Sequence, residues 1–287
     1  MTADEPGSEP DPGPDVDLRA MQASIEGTEP LVNAVTNAVT TNDVANTVLH
    51  WGGLPVMSDD VREVADMVAT AQACLLNMGD VSEDGEETML TAGRAANDAG
   101  IPVVLDPVGV GATPTRTDVA KRLAAELDVA VVKGNYGEIS ALTGEGATVR
   151  GVESVGEYDG IGRTAIACAR ETGAAVVASG EVDVVADAES AYEVRAGDPM
   201  LGRIVGTGCM LGAALSVVAP SLDDPLSAAL AGTCAFGLVA ERAANGEYGE
   251  YAGPASYKTA FLDAMAGFDE TGGEDADSRI RRVARAE

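Results

Sequence analysis

Short apolar runs alternate with longer amphipathic stretches along most of the chain. The amphipathic stretches repeat apolar residues about every three to four positions and predict helices over Glu83–Ala99, Thr117–Leu127, Ile161–Thr172, Gly208–Val218 and Pro225–Ala244. The apolar runs predict strands at PLVNAVT, LPVMS, ACLLNMG, IPVVLDPVG, VAVVKGN, AAVVASGEVDVVAD and AYEVRAG. Because strands separated by helices form right-handed βαβ units, the pattern predicts an α/β fold with a mostly parallel central sheet.

The two ends of the chain depart from this pattern. Residues 1–28 are rich in Asp, Glu, Pro and Gly, and we expect them to be disordered, turning helical only near Leu18–Ile25. Residues 269–287 form a second charged segment, which we expect to be a tail. Neither an internal repeat nor a linker interrupts residues 30–268, so we predict a single domain over residues 29–268.

Composition narrows the fold and the partners. Hydrophobic residues make up 46% of the chain but aromatic residues only 3%, so the core must be built from Ala, Val, Leu and Ile, as in helices packed on a buried parallel sheet. The net charge of −29 argues against nucleic acid or an anionic membrane as a partner. Carboxylates are spread along the whole chain, and we therefore favour a halophilic protein over an ordinary acidic one.

The cysteines and the lengths of the apolar runs indicate the cellular location of the protein. The four cysteines show no CxxC pair and no metal-binding spacing with the single histidine, His50, which we expect to be structural in a helix beside Trp51. From its first residues we expect no signal peptide, and the apolar runs fall short of the ~18–20 residues of a membrane span. We therefore expect a cytoplasmic protein with reduced thiols.

The segment VGTGCML places two glycines and a thiol where an apolar helix starts. Gly206 and Gly208 allow a ligand to approach the backbone closely. The amides of Thr207, Gly208 and Cys209 would form an anion hole at the positive end of the helix dipole. The same field is expected to lower the pKa of Cys209, so that its thiolate accepts a proton from a substrate hydroxyl. The alternative is a tight turn with an inert thiol.

The segments VLDPVGVGAT and VVKGNYGEIS put charged side chains at the ends of two apolar strands. Asp106 is costly there unless it is paired, and it suits Mg²⁺, directly or through water; a turn or helix-capping carboxylate is the alternative. Lys133 suits a nucleotide phosphate. Glu138 would complete the metal site with Asp106, or would form a capping box with Asn135, and the two roles are compatible.

Polar or soft side chains follow other strands as well. Ser179 in VASGEVD suits contacts to phosphate oxygens, although the same segment fits a hairpin turn between VVA and DVV. Asn37 suits a hydrogen bond to a small polar heterocycle. Met57 offers a soft wall for such a ring, or is ordinary core. Open parallel sheets bind ligands at the carboxyl ends of their strands, which is where these motifs fall.

The chain resembles the hydroxyethylthiazole kinase family, the thiamine-salvage branch of the ribokinase-like superfamily. The resemblance spans Pro30 to Leu262 and is carried by PLVNAVTN, GGLPVM, LLNMG, PVVLDPVGVGATPTRT, VVKGNYGEI, SGEVD and GTGCML. It implies a three-layer αβα fold assembled as a homotrimer. It also implies transfer of a phosphoryl group from ATP to 5-(2-hydroxyethyl)-4-methylthiazole with Mg²⁺.

The resemblance further implies roles for individual residues. Cys209 stands where the wider superfamily usually has Asp, which makes it the catalytic base or its replacement. The other implied contacts are with the thiazole at Met57 and Gly206, with ATP at Lys133 and Ser179 (often arginine and threonine in relatives), and with metal at Asp106 and Glu138.

Two departures and three alternatives accompany the resemblance. Asn33 stands where many relatives carry histidine, and the acidic, glycine-rich GVESVGEYDGIG replaces part of a variable connection.

Other functions are compatible with the same motifs. Another ribokinase-like kinase, or an ATP-dependent repair enzyme for hydrated nicotinamide, would share the fold and the glycine turn. A non-catalytic nucleotide sensor would share the phosphate loops. An acyltransferase with Cys209 as nucleophile is disfavoured because it would need a histidine near the thiol.

Overall fold

A computed structural model describes residues 14, 16–144, 148–150, 153–155, 160–268 and 276–286. Half of the segment expected to be disordered (1–13 and 15), part of the acidic connection (151–152 and 156–159) and part of the charged tail (269–275 and 287) lie outside the described residues.

The centre of the protein is a sheet that has nine strands in the described part of the chain, in the order β11-β10-β9-β8-β5-β4-β3-β1-β2. The strands of the chain are β1 Leu31–Val35, β2 Leu54–Val56, β3 Ala73–Asn77, β4 Val103–Asp106, β5 Val131–Asn135, β6 Thr148–Arg150, β7 Glu153–Val155, β8 Ala175–Ser179, β9 Asp183–Ala186, β10 Ser190–Val194 and β11 Ile280–Arg285. The six strands β2, β1, β3, β4, β5 and β8 are parallel to one another in this order. At the other edge of the sheet, β9 pairs antiparallel with β8, β10 with β9, and β11 with β10. Strands β6 and β7 form a separate hairpin.

Helices cover both faces of the sheet. They are α1 Leu18–Thr28, α2 Thr41–His50, α3 Val64–Val68, α4 Glu83–Ala99, α5 Pro114–Glu126, α6 Tyr136–Leu142, α7 Ile161–Thr172, α8 Thr207–Val218, α9 Pro225–Ala244, α10 Pro254–Ala266 and α11 Ala276–Arg279. One core contains residues of α1, α2, α8, α9 and α10, and the other contains residues of α3 to α7. Alternate strand residues, such as Val104 and Leu105, enter opposite cores, which confirms the predicted αβα layers.

The helix limits follow from caps within each segment. The predicted limits of α4, α7 and α9 agree with the structure. Gly100 and Gly173 end α4 and α7 in the left-handed conformation, at φ of 69° and 75°. Helix α5 begins three residues earlier than predicted because Thr113 accepts a hydrogen bond from the amide of Arg116 and Pro114 occupies the first turn.

The expectations for the two ends are corrected where the structure describes them. Asp17 caps α1, which buries Leu18, Met21 and Ile25 in the core, so residues 18–28 belong to the fold. At the other end, β11 pairs antiparallel with β10 and buries Ile280. The helix predicted near Leu18–Ile25 is thus present and packs into the core. Average composition hid only β11, because a few apolar residues at the right spacing are sufficient to anchor an otherwise polar segment.

The segment after β8 is a hairpin turn, as the alternative interpretation of VASGEVD predicted, because β8 pairs antiparallel with β9. None of the helices in the described residues is long and apolar enough to cross a membrane.

Candidate functional site

Charged and amide side chains meet at the carboxyl ends of β3, β4 and β5. Asn77 ends β3 and lies in register with Asp106, which ends β4. Lys133 lies on β5, and its Nζ is 3.4 Å from Oδ1 of Asp106. Asp106 is 0% exposed, Asn77 1% and Lys133 3%. An unpaired buried charge is costly, and here each of the two buried charges, on Asp106 and on Lys133, is compensated by the other. The structure thus brings together Asp106 and Lys133, as predicted, although Lys133 lies in the middle of β5 and only Asp106 ends its strand.

The first turn of α8 packs directly on this ion pair. A Cβ on Gly208 would lie 2.9 Å from Nζ of Lys133, and a Cβ on Gly212 would lie 3.3 Å from Oδ2 of Asp106. Gly206 precedes the helix with φ +94°, and a Cβ there would lie 2.7 Å from Thr40. The glycines therefore let the ammonium and the carboxylate lie against the helix, where free amides and a lysine together favour an anion.

Cys209, in the same turn, is 8% exposed. Its sulfur lies 3.9 Å from Nδ2 of Asn37. Burial raises the pKa of the Cys209 thiol, the charge of Asp106 raises it further, and Lys133 offsets only part of the increase. The prediction that the helix field lowers this pKa is wrong, because desolvation and a nearby carboxylate outweigh the dipole. Cys209 is therefore a protonated thiol, and not a thiolate, near neutral pH.

An amide network links the carboxylate of Asp106 to the thiol of Cys209. Nδ2 of Asn77 donates to Oδ2 of Asp106 at 2.7 Å, and Nδ2 of Asn37 donates to Oδ1 of Asn77 at 2.8 Å. Asn37 also donates to Thr40 and lies against Cys209. Asn37 was predicted to bind substrate, and the structure places it beside the thiol. Asn77 is a site residue that the sequence analysis missed. Its position at the end of an apolar strand, like that of Asp106, could have identified it.

Glu138 forms the capping box with Asn135 that the sequence allowed. Its Oε2 accepts a hydrogen bond from the amide of Asn135 at 2.8 Å, and its Oε1 accepts one from Gly109, in the loop after β4, at 2.7 Å. Burial raises the pKa of Glu138 to about 7, with Lys133 acting against the rise and Asp106 adding to it. Glu138 therefore stabilises the loop that follows Asp106 and shares its electrostatic environment.

The electrostatics of the pair depend on the same neighbours. Burial raises the pKa of Asp106, and Lys133 and Asn77 offset part of the rise. Burial by itself would lower the pKa of Lys133, but the charges of Asp106 and Glu138 outweigh it and raise the pKa. Lys133 therefore stays protonated.

A magnesium ion fits the two carboxylates in donor chemistry. Mg²⁺ is commonly held by one or two carboxylates together with substrate phosphates, and carboxylate oxygens that accept one hydrogen bond retain a free lone pair. The described residues contain no group of three or more His, Cys, Asp or Glu arranged around a common metal position. Asp106 and Glu138 would therefore act with a bound nucleotide, since they do not form a complete ligand set.

The remaining predicted residues lie on other strands and helices, and His50 is separate from the site. Ser179 ends β8 in register with Asn135, and its hydroxyl donates to the carbonyl of Gly134 at 3.3 Å. Met57 follows β2, is half-buried and packs against the core that contains α8. His50 ends α2 and lines a small cavity of about 150 Å³ with Trp51.

The fold and the site define a class. A ribokinase-like superfamily protein from Enterococcus faecalis shares the fold, with a TM-score of 0.60 at 10% identity over 86% of this chain and 88% of that chain. The chain therefore has a ribokinase-like fold, with an ammonium and the N-terminus of α8 near the carboxyl ends of its parallel strands.

The particular family follows from sequence. The model of the hydroxyethylthiazole kinase family matches residues 23–270. A hydroxyethylthiazole kinase of Natronomonas pharaonis is 62% identical over 93% of this chain and 96% of its own length, and that of Haloquadratum walsbyi is 61% identical over 92% and 93%. The structure of the hydroxyethylthiazole kinase from Pyrococcus horikoshii matches with a TM-score of 0.80 at 32% identity, over 93% of this chain and 99% of that chain.

The chain belongs to the hydroxyethylthiazole kinase family. The family assignment, the kinase activity and the ribokinase-like fold predicted from the motifs are confirmed, and the two most similar of these relatives come from halophiles, in line with the acidic composition.

Proposed function

We propose that this protein transfers the γ-phosphoryl group of ATP to the hydroxyl of 5-(2-hydroxyethyl)-4-methylthiazole. The observation that carries the proposal is the contact between the first turn of α8 and the Lys133–Asp106 pair, with Nζ of Lys133 2.9 Å from the position of a Cβ on Gly208. It joins a protonated ammonium, free helix amides and a carboxylate at one point, which is what a phosphoryl group in transfer requires.

The nucleotide binds through groups that favour negative charge. The amides of Thr207 and Gly208 and the ammonium of Lys133 hold phosphate oxygens, since all of them face the same end of α8. Ser179 supplies a hydroxyl from the neighbouring strand end. These contacts would stabilise the charge that develops as the bond between the γ-phosphorus and the β,γ-bridging oxygen of ATP breaks and ADP leaves.

Asp106 and Glu138 hold Mg²⁺ together with the phosphates. When bound, the ion neutralises phosphate charge and orients the γ-phosphoryl group. Asp106 is oriented by Asn77, and Glu138 by the amides of Asn135 and Gly109, so both carboxylates are positioned before the nucleotide arrives.

The acceptor alcohol lies beside Cys209, between Met57 and Gly206, with Asn37 donating to the heterocycle or its hydroxyl. The alcohol oxygen forms a bond to the γ-phosphorus in line with the departing ADP, and the hydroxyl proton passes to the thiolate form of Cys209. Because the pKa of Cys209 is raised, only a small fraction is thiolate near neutral pH. Proton removal is a smaller contribution than positioning and charge stabilisation.

We also propose that the protein is a cytoplasmic homotrimer. Val39 and Val205, on the loops before α2 and α8, are 74% and 75% exposed, and exposed apolar side chains beside a cleft suit contact with a second copy. Light scattering after gel filtration at high salt should give three times the mass of one chain, and a monomer mass would contradict this part of the proposal.

The function is tested by ADP release in concentrated salt, with and without Mg²⁺, on the thiazole alcohol and a panel of other small alcohols. We expect Mg²⁺-dependent turnover that favours the thiazole. Preference for another alcohol would indicate another ribokinase-like kinase. Tight ATP binding without turnover on any alcohol would indicate a nucleotide sensor and contradict the proposal.

A further inference from the structure

Arg116, in the first turn of α5, points back to the strand ends that build the site. Its Nη1 donates to the carbonyls of Met78 and Val108, both at 2.8 Å, and its Nη2 donates to the carbonyl of Gly79 at 3.0 Å. All three acceptors are backbone groups. Three of the five guanidinium N–H groups are thus bonded to the protein's own backbone.

The three carbonyls belong to two different loops. Met78 and Gly79 follow β3, whereas Val108 follows β4. One planar group therefore bridges the two segments that come directly after Asn77 and Asp106. A point charge on a flexible chain does not reproduce this fixed fork of donors, which is the physical difference between arginine and lysine here.

The loop after β4 is held from two sides. Gly109 has φ +77°, and a Cβ on it would lie 3.2 Å from Cδ of Arg116, so its missing side chain lets the arginine pass. The amide of Gly109 donates to Glu138 at 2.7 Å. The backbone between Asp106 and α5 is therefore clamped between the guanidinium of Arg116 and the carboxylate of Glu138.

The loop after β3 carries contacts to the thiol side of the site. Oδ1 of Asn77 accepts the amide of Gly79 at 3.0 Å, and a Cβ on Gly79 would lie 2.1 Å from Nδ2 of Asn37. A shift of this loop would move Asn37 and Asn77, and with them the hydrogen bond that orients Asp106.

From these contacts we infer that Arg116 is a positioning residue for phosphoryl transfer, and this inference rests on the proposed function. It sets the separation of the loops after β3 and β4, and through them the position of Asp106 relative to Lys133 and the first turn of α8. Misplacement of groups at a reacting centre by about 1 Å lowers turnover by up to about 100-fold, even from a distance.

The test compares Arg116→Lys and Arg116→Ala with Arg122→Ala. Arg122 lies on the same helix, is exposed, and pairs with Glu86 and Glu126 at the surface, so it controls for loss of an arginine from α5. Activity is measured well below the melting temperature of each variant, in concentrated salt, and per folded molecule by circular dichroism.

We expect both Arg116 variants to lower kcat by about 10-fold or more, to require more Mg²⁺ for half-maximal rate, and to leave KM for the thiazole within about 2-fold. Arg122→Ala should keep the kcat of the wild type. If Arg116→Ala lowers only the melting temperature, or if Arg116→Lys restores kcat, the positioning role is wrong.

Failure of the proposed function gives a different result. If the wild type releases no ADP with any alcohol, calorimetry of Mg·ATP binding is the readout, and the Arg116 variants should bind about 10-fold more weakly than Arg122→Ala. Equal affinities, or no Mg·ATP binding by the wild type, would overturn the inference.

Discussion

Nζ of Lys133 lies 3.4 Å from Oδ1 of Asp106, at a point where both side chains are almost wholly buried beneath the first turn of α8. Replacing Lys133 by Met removes the counter-charge of a buried carboxylate. We expect the free energy of unfolding to fall by about 3–5 kcal/mol and ATP affinity to fall about 10-fold. Chemical denaturation and calorimetry measure the two effects.

The matched control is Lys121→Met, which removes an exposed lysine from α5. The double variant Lys133→Met with Asp106→Leu should recover part of the lost stability, because no charge is then left unpaired. An unchanged dissociation constant for ATP in Lys133→Met would refute the phosphate-binding role.

The raised pKa of the Cys209 thiol predicts a rate that increases with pH into the alkaline range, because only the thiolate accepts the hydroxyl proton. Cys209→Ala should lower kcat by about 100-fold and leave ATP affinity largely intact. Cys209→Asp should move the rise in activity to lower pH, since a carboxyl ionises more readily than a thiol. The pH profiles of kcat for the three proteins check both points.

Cys234→Ala serves as the control, because Cys234 is a buried thiol in α9. It should keep the pH profile of the wild type. Full activity in Cys209→Ala would show that this thiol is not the base and only lines the anion hole.

The pKa of Glu138 rises from 4.5 to about 7 in the folded protein, chiefly through burial. The folded state therefore holds this proton more tightly than the unfolded state, so its contribution is fully present below pH 4.5. It is lost as pH rises towards 7, by at most about 3 kcal/mol in the free energy of unfolding.

Glu138→Gln should flatten this part of the pH dependence, because the amide does not titrate. Urea titrations of both proteins between pH 4.5 and 7.5, at one high salt concentration, measure how the free energy of unfolding of each protein changes with pH. Parallel curves for the two proteins would show that Glu138 does not titrate in this range.

Asn77 joins Asp106 to Asn37 through two hydrogen bonds of 2.7 and 2.8 Å. Asn77→Leu keeps the approximate shape but removes the donor to Oδ2 of Asp106 and one acceptor of Asn37, so we expect a loss of about 1–3 kcal/mol in stability and a lower kcat. Asn46→Leu, which removes the exposed bond to Asn42, is the control and should change neither quantity appreciably. A wild-type kcat in Asn77→Leu would contradict a role for the network.

Much of the architecture was predictable because its causes are local. The limits of α4, α7 and α9 follow from apolar spacing and from caps that lie within or next to each helix. The position of Asp106 at the end of β4 was likewise predictable, since parallel strands end at a common edge of the sheet, whereas Lys133 lies within β5 and does not end it. The family resemblance rested on these same local motifs.

Other features depended on strand pairing and on burial in the core, which the local sequence pattern does not determine. Ser179 lies at a hairpin because β8 pairs antiparallel with β9, and helix α1 joins the fold because Met21 and Ile25 meet a distant core. The sign of the pKa shift at Cys209 was predicted wrongly, because it depends on a carboxylate about a hundred residues away in sequence and on exclusion of water.

The sequence alone therefore determined the α/β class, the limits of α4, α7 and α9 and the residue types of the proposed site, because propensity, periodicity and capping act between neighbours in the chain. Only the tertiary structure placed Lys133 against Gly208, joined Asn77 to Asn37 and aimed Arg116 at carbonyls from two separate loops. Desolvation, long-range charge and hydrogen bonds between remote segments exist only once the chain is packed.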